Sequence, residues 1–340
     1  MAKGYNRMIP WVLLATGTAL VAAARRRNRR MDFHGKSVVI TGGSRGLGLE
    51  LARQLAAEGA QLTLLARNSD ELARARRELA SMGTDVFTAT CDVRNRAEVD
   101  RTVAAILELR GKIDVLINTA GIVQVAPFEN LDWLDYKESV DVHAWGPLHM
   151  MSAVAPHMQQ RRAGRIVNIS SIGGLVAIPH LLAYSMGKFA LTGLSDGIRA
   201  ELAKDGVFVT TVAPGLMRTG SHFNALFKGQ HRKEFAWFAL SAGNPLLSTS
   251  ASRAAKQIIE ACRYGAPRLI ITVPARLLHL SNAMFPRLTA AGTSLAARLL
   301  PSPAVPEQTP LRTGWESGSW VVPSILTRLS DRATQRNNEM

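Results

Sequence analysis

The chain has 340 residues, 47% of them hydrophobic, and a formal net charge of +15. That is enough for one large α/β domain with a substantial core, plus extensions. Two cysteines, Cys91 and Cys262, exclude a disulfide framework and a cysteine metal cluster, and they read as buried thiols in a reducing compartment. No metal site is expected, and no basic patch interleaved with aromatics supports nucleic-acid binding.

Much of the positive charge lies at the start, where Lys3, Arg7, Arg25, Arg26, Arg27, Arg29 and Arg30 precede any acidic residue. Between Met8 and Ala24 the chain reads MIPWVLLATGTALVAAA, and RRRNRR follows. A membrane span needs ~20 apolar residues, with a lower limit near ~17, so the segment is borderline. It reads as an uncleaved anchor, a cleaved signal peptide, or a buried helix. The arginine block holds its flank on the cytoplasmic side and favours the anchor. Residues 1–30 are therefore expected to form a hydrophobic anchor with a basic stop, leaving the remainder cytoplasmic.

From Ser37 strand and helix alternate. Strands are expected at Ser37–Ile40, Gln61–Leu65, Asp85–Ala89, Ile113–Ile117, around Ile166, at Val207–Val212 and at Leu269–Val273. Continuous apolar strands joined by helices predict a doubly wound parallel sheet of about seven strands, a Rossmann fold covered on both faces. The domain is placed at 36–275, and 276–340 is read as a C-terminal extension.

Thr41-Gly42-Gly43-Ser44-Arg45-Gly46-Leu47-Gly48 lies between the first strand and a helix. Glycine there lets backbone approach a pyrophosphate, and the helix start favours negative charge. The second strand ends Leu65-Ala66-Arg67, without the acid that would bind ribose hydroxyls. Arg45 and Arg67 can instead pair with a 2′-phosphate, which predicts NADP(H).

Farther on, GRIVNISSIGGLVAIPHLLAYSMGKFA combines a short strand, a glycine-bearing loop and a helix beginning near Leu182. Tyr184 and Lys188 are four apart and share a helix face, and Ser171 follows the strand. A phenol, an ammonium and a hydroxyl can converge there. A free tyrosine has a pKa near ~10, and a neighbouring ammonium lowers it toward neutral pH. The trio suits proton exchange with a carbonyl or alcohol oxygen.

These residues carry a resemblance. Thr41-Gly42-x-x-x-Gly46-x-Gly48, Asp92-Val93, Asn118-Thr119-Ala120-Gly121, Ser171, Tyr184-x-x-x-Lys188, and Pro214-Gly215 with Thr219 make the chain similar to a short-chain dehydrogenase/reductase from about Lys36 to Val273. The resemblance implies that Tyr184 is the general acid/base, that Ser171 orients the carbonyl, and that Lys188 binds the nicotinamide ribose and lowers the tyrosine pKa. It implies that Asp92 and Val93 contact adenine, that Asn118, Ala120 and Gly121 line the cofactor floor, and that Pro214, Gly215 and Thr219 flank the nicotinamide. It also implies a homodimer or homotetramer through the helices around Tyr136 and Tyr184. Two positions depart from the pattern. Thr119 replaces an asparagine, and His143 stands where an asparagine usually holds a relay water. An imidazole can be donor and acceptor at once, so His143 is either a relay group titrating near ~6.5 or a packed helix residue.

Between Met217 and Leu247, Phe223, Leu226, Phe227, Phe235, Trp237, Phe238 and Leu240 each read equally as core, and as a group they read as a hydrophobic lid for an apolar, lipid-like substrate. Beyond Val273, Leu277 to Leu300 reads as a basic amphipathic helix on a membrane surface. PSPAVPEQTP reads as a linker, and residues 327–340 show no site. The functional expectation is a membrane-anchored NADP(H)-dependent oxidoreductase. The contrasting expectation is an NADP(H)-binding scaffold or sensor with little turnover.

Overall fold

The computed structural model describes residues 29–305, 310–318 and 328–339. At its centre lies a parallel sheet of seven strands: β1 (Ser37–Thr41), β2 (Gln61–Ala66), β3 (Val86–Thr90), β4 (Val115–Asn118), β5 (Gly164–Ile169), β6 (Val207–Pro214) and β7 (Arg268–Ile271). Their order is β3-β2-β1-β4-β5-β6-β7. The doubly wound Rossmann expectation holds. The seventh strand ends at Ile271, because Thr272 turns and caps the next helix through Ala275 N–H.

Alternation along the strands builds one core on each face. Val38 and Ile40 of β1 point into a core shared with helices α1 (Gly46–Ala57) and α8 (Ala251–Arg263). Val39 points the other way, to α3 (Arg96–Arg110) and α5 (Gly146–Gln160). Cys262 belongs to the first core and Cys91 to the second, so the sheet separates the two buried thiols. Asn68 caps α2 (Ser69–Ser81) by accepting from Asp70 and Glu71 N–H, which fixes the chain just beyond β2.

The strand order reverses between β1 and β4, which run parallel. The crevice outside the C-terminal ends of these strands is where such sheets bind ligands. The glycine loop after Thr41, the segment after Asn118 and Ser171 after β5 all open there. Helix α6 (Leu182–Leu202) packs beside α4 (Trp133–Val140) and a π-bulge at Asp141–Trp145.

A smaller subdomain roofs the crevice. Helix α7 (His231–Gly243) joins a three-stranded sheet of Gln124–Val125, Leu226–Phe227 and Arg312–Thr313. The long helix expected after Val273 is two helices, α9 (Val273–Met284) and α10 (Pro286–Arg298), divided at Phe285 by the proline that opens the second. The C-terminal residues do not all lie apart: Trp315 stacks on Phe223 with centroids 4.3 Å apart, and α11 (Arg328–Arg336) returns to the glycine loop. Among the described residues no helix is long and apolar enough to cross a membrane. The expected anchor at residues 8–24 lies outside the described residues.

Candidate active site

The glycine loop is shaped by contact as much as by freedom of φ. A Cβ on Gly48 would lie 2.1 Å from the Gly42 carbonyl oxygen, so α1 reaches this close to β1 only with glycine there. Gly42 has φ +65°, and a Cβ on it would meet Ala120 backbone at 2.9 Å. Thr41 Oγ1 accepts from Thr119 N–H at 3.1 Å and Ala120 N–H at 3.2 Å, tying the cofactor floor to the glycine turn. Helix α1 begins at Gly46 after Arg45, whose side chain makes no cap, so its first N–H groups are left for another acceptor.

The adenosine end is denser in polar contacts than the sequence indicated. Ser44 Oγ donates to Glu71 at 2.8 Å, and Arg45 donates to Glu71 at 3.1 Å and to Asn224 at 3.0 Å. Arg67 is exposed just past β2. Asp92 is paired with Arg94 at 2.6 Å. Burial would raise the Asp92 pKa, but hydrogen bonds from Arg94 outweigh it and hold the carboxyl below its ordinary value. Val93 is buried against Gly146, and its carbonyl faces His149 Nδ1 at 3.0 Å. Beyond β6, Gly215 N–H bonds Ile271 at 3.0 Å, and buried Thr219 bonds Ser221 at 2.9 Å.

The catalytic candidates do converge. Ser171 Oγ accepts from Gly173 N–H at 3.0 Å, which orients the hydroxyl, and Tyr184 and Ser171 flank the same face of Gly173. Tyr184 keeps a partly exposed surface, yet burial pushes its pKa above the ordinary 10.0, with a hydrogen bond from Ser171 opposing the rise. Lys188 donates to the Ile169 carbonyl at 2.9 Å, and its Nζ lies 5.6 Å from the Tyr184 ring centroid. Burial brings the Lys188 pKa down to about 7. In this conformation desolvation is the largest influence on both groups, and the expected lowering of the tyrosine pKa by this ammonium has no counterpart in it.

His143 is fully buried in the π-bulge, a distortion often found at functional sites. Its Nε2 faces Ile122 N–H at 3.2 Å, and a backbone N–H can only donate, so the proton belongs on Nδ1. Nδ1 lies 3.2 Å from Ser139 Oγ, which itself donates to the Ala183 carbonyl at 2.6 Å. A chain of hydrogen bonds therefore runs from the cofactor floor through His143 to the residue before Tyr184. The imidazole also meets the Tyr184 ring edge-on, with centroids 5.3 Å apart. Both ring nitrogens are engaged, so the geometry describes a positioning residue and leaves no nitrogen open to a relay water. Titration near 6.5 is corrected as well: burial first, then the Lys188 charge, place the His143 pKa well below that value.

Two features had no sequence signal. Glu234, fully buried, lies 3.0 Å from His180 Nδ1 and accepts Trp237 Nε1–H at 2.7 Å. This network pins α7 to the loop that leads into Tyr184. The second is the C-terminal segment, read from sequence as carrying no site, which reaches the glycine loop: Asn337 C=O accepts from Gly46 N–H at 2.8 Å. The lid expectation is partly corrected, because Phe227, Phe235 and Phe238 are buried in the subdomain's own core. Val123, Ile178, Phe223, Trp237 and Tyr184 pack around it, partly exposed.

The donor set fits a nicotinamide dinucleotide. Helix α1 starts without a side-chain cap, and the buried Asn118 Oδ1 and Thr119 Oγ1, at the end of β4, have no hydrogen-bond partner. Such atoms call for a ligand or water. Among the described residues no group of three or more His, Cys, Asp or Glu could hold a metal ion.

The family model for short chain dehydrogenases matches residues 36–226. A "Dehydrogenase/reductase SDR family protein 7-like" of Anopheles gambiae is 36% identical over 232 residues, covering 64% of this chain and 73% of that one. "Oxidoreductase UcpA" of Salmonella typhimurium is 38% identical over 186 residues, covering 54% and 70%. Among solved structures, a variant of actinorhodin polyketide ketoreductase with NADPH superposes with a TM-score of 0.63 at 28% identity, covering 70% of this chain and 95% of that one. The chain belongs to the short-chain dehydrogenase/reductase family. It is an oxidoreductase of the kind that uses a nicotinamide cofactor.

If His143 positions rather than relays, the pH–rate profile of the wild type and of His143→Asn should share the same acidic limb. Loss in the Asn variant of an inflection near 6.5 would restore the relay. His143→Leu leaves the half-buried Ile122 N–H without its acceptor and should lower stability by about 1 kcal/mol in denaturant unfolding.

Proposed function

We propose that this chain transfers a hydride between NADP(H) and a carbonyl or secondary alcohol of an apolar, lipid-like substrate. The observation that carries the reading is the convergence of Ser171, Tyr184 and Lys188 beside the end of β5, next to a glycine loop that opens a helix. When bound, a nicotinamide would supply or accept the hydride at its C4. In the reducing direction Ser171 holds the carbonyl oxygen, and Tyr184 delivers its proton to that oxygen. Lys188 stabilises the phenolate left behind and donates to the ribose. Asn118, Ala120 and Gly121 would form the floor. Asp92 and Val93 would lie beside adenine, and Pro214, Gly215 and Thr219 beside the nicotinamide.

Preference for NADP(H) is supported by Arg45 and Arg67 and by the lack of a carboxylate where β2 ends. The ketoreductase neighbour was solved with NADPH. An apolar substrate is supported by partly exposed Val123, Ile178, Phe223 and Trp237, which pack with Tyr184 against the same subdomain core. A soluble ketone panel tests the whole reading. NADPH should exceed NADH in kcat/KM by about 10-fold or more, since a charge-assisted bond is worth ~1.5–3 kcal/mol. Arg67→Ala should erase most of that preference. Tyr184→Phe should abolish turnover while NADPH still binds, and NADPH binding without turnover in the wild type would favour the scaffold or sensor.

Membrane association is part of the same reading, with the catalytic domain on the cytoplasmic side. Helices α9 and α10 expose Val273, Leu277, Leu280, Met284, Leu288 and Leu295. They carry Arg276, Arg287 and Arg298, with no acidic residue from 273 to 300. That pattern suits an anionic bilayer surface. The full-length protein should sediment with anionic vesicles, and deleting residues 1–28 should weaken this without loss of turnover on a soluble ketone. A full-length protein that stays in the supernatant would refute the association.

Homodimer or homotetramer formation is proposed through α4 and α6. They pack together and expose Trp133, Leu134, Met186 and Phe189. Light scattering should give a multiple of 36.9 kDa for the wild type and a smaller particle for Phe189→Glu; identical masses would discard this interface.

A further inference from the structure

We infer that the C-terminal segment 328–339 is an intramolecular competitor for the cofactor, docked where the dinucleotide phosphates must bind. This rests on the dinucleotide reading of the glycine loop. Gly46 N–H, the first donor of α1, is held by the Asn337 carbonyl at 2.8 Å. Asn338 Nδ2 donates to the Ser44 carbonyl at 2.8 Å, within the same loop. Glu339 places its carboxylate over Gly46: a Cβ built there would lie 2.6 Å from Oε1. The other oxygen accepts from Asn224 at 2.7 Å and lies 3.6 Å from Arg45 Nε. On the opposite wall Asn337 Nδ2 donates to the carbonyl of Thr219 at 3.1 Å.

The tail thus uses two groups a phosphate would need, the helix-start N–H of Gly46 and the Arg45 guanidinium. One N–H cannot serve a carbonyl and a phosphate together, so tail and cofactor exclude each other. The docked residues are polar. Arg53 donates to Asn337 and to the Arg336 carbonyl, and Arg74 to Asn338, from α1 and α2. The contact is therefore built from hydrogen bonds, of which a phosphate can take over those from Gly46 N–H and Arg45 and leave the Ser44 and Thr219 carbonyls to water. Burial also pushes the Glu339 carboxyl up to about 7, against the pull of Arg45 and the hydrogen bond from Asn224. Helix α11 anchors the segment, with Thr334 seated on Gly220, where an added Cβ would meet its backbone at 2.5 Å.

A docked tail lowers apparent cofactor affinity in proportion to the undocked fraction; a tail docked about 90% of the time costs roughly tenfold. The test is NADPH binding by calorimetry with the full chain, comparing the wild type with the double variant Asn338→Ala/Glu339→Ala. Trypsin cleavage at Arg332 and Arg336 is followed by mass spectrometry in parallel. The variant should bind NADPH about tenfold more tightly, and saturating NADPH should speed tail cleavage in the wild type. Unchanged affinity with unchanged cleavage would show a fixed structural contact, and weaker binding by the variant would make the tail part of the cofactor site. Either result overturns the proposal and leaves the dinucleotide reading standing. If neither protein binds NADPH or NADH, the dinucleotide reading falls and takes the competition with it.

Discussion

The start of helix α1 is a set of backbone N–H groups aimed into the crevice with no side chain of their own to satisfy them. A helix end of this kind must find an acceptor, and it attracts negative charge. The glycine loop exists to bring that end against the sheet: Gly48 allows contact with Gly42 carbonyl, and Thr41 locks the neighbouring floor residues in place. The adenosine-side arginines, the floor after β4 and the docked C-terminal residues are all arranged with respect to this one unsatisfied end.

The catalytic corner shows a different tension. Tyr184 must give up a proton beside a lysine that holds the ribose, yet burial raises the pKa of the first and lowers that of the second. Desolvation brings the amine to about 7, while Ser171 supplies the local bond that favours the phenolate. His143 contributes by holding the floor and the start of α6 in register, a task that requires a neutral ring. The buried environment and the neutral tautomer are thus consistent with each other.

Much of this was legible in the sequence because it depends on local order. Strand-helix alternation reads directly as a covered parallel sheet. The glycine spacing and the Tyr184-x-x-x-Lys188 step are geometric statements about one turn and one helix. What escaped depends on contacts between distant positions. Asn338 meets Ser44 across 294 residues, and Glu234 meets His180 across 54, with no periodicity to announce either. Phe235 and Phe238 looked like a lid because hydrophobicity does not say which side of a small subdomain a ring faces. The orientation of Lys188 toward the Ile169 carbonyl also escaped, since spacing tells which groups are neighbours and not which partner each one chooses.

The π-bulge at Asp141–Trp145 has a bearing on how this chain compares with its relatives. A π turn accommodates one residue more than an α turn, and each residue in a helix turns the chain by about 100°. The bulge therefore acts as a phase shift between α4 and α5. On one side of it the helix meets α6, and on the other Gly146 lies against Val93 near the adenine side. Two functional regions of one continuous rod are set to their own rotations by a single extra residue. Against a helix without such a bulge, position-by-position comparison across this point would equate residues that face different directions, so whether His143 corresponds to the usual asparagine is a question of helical phase before it is one of chemistry.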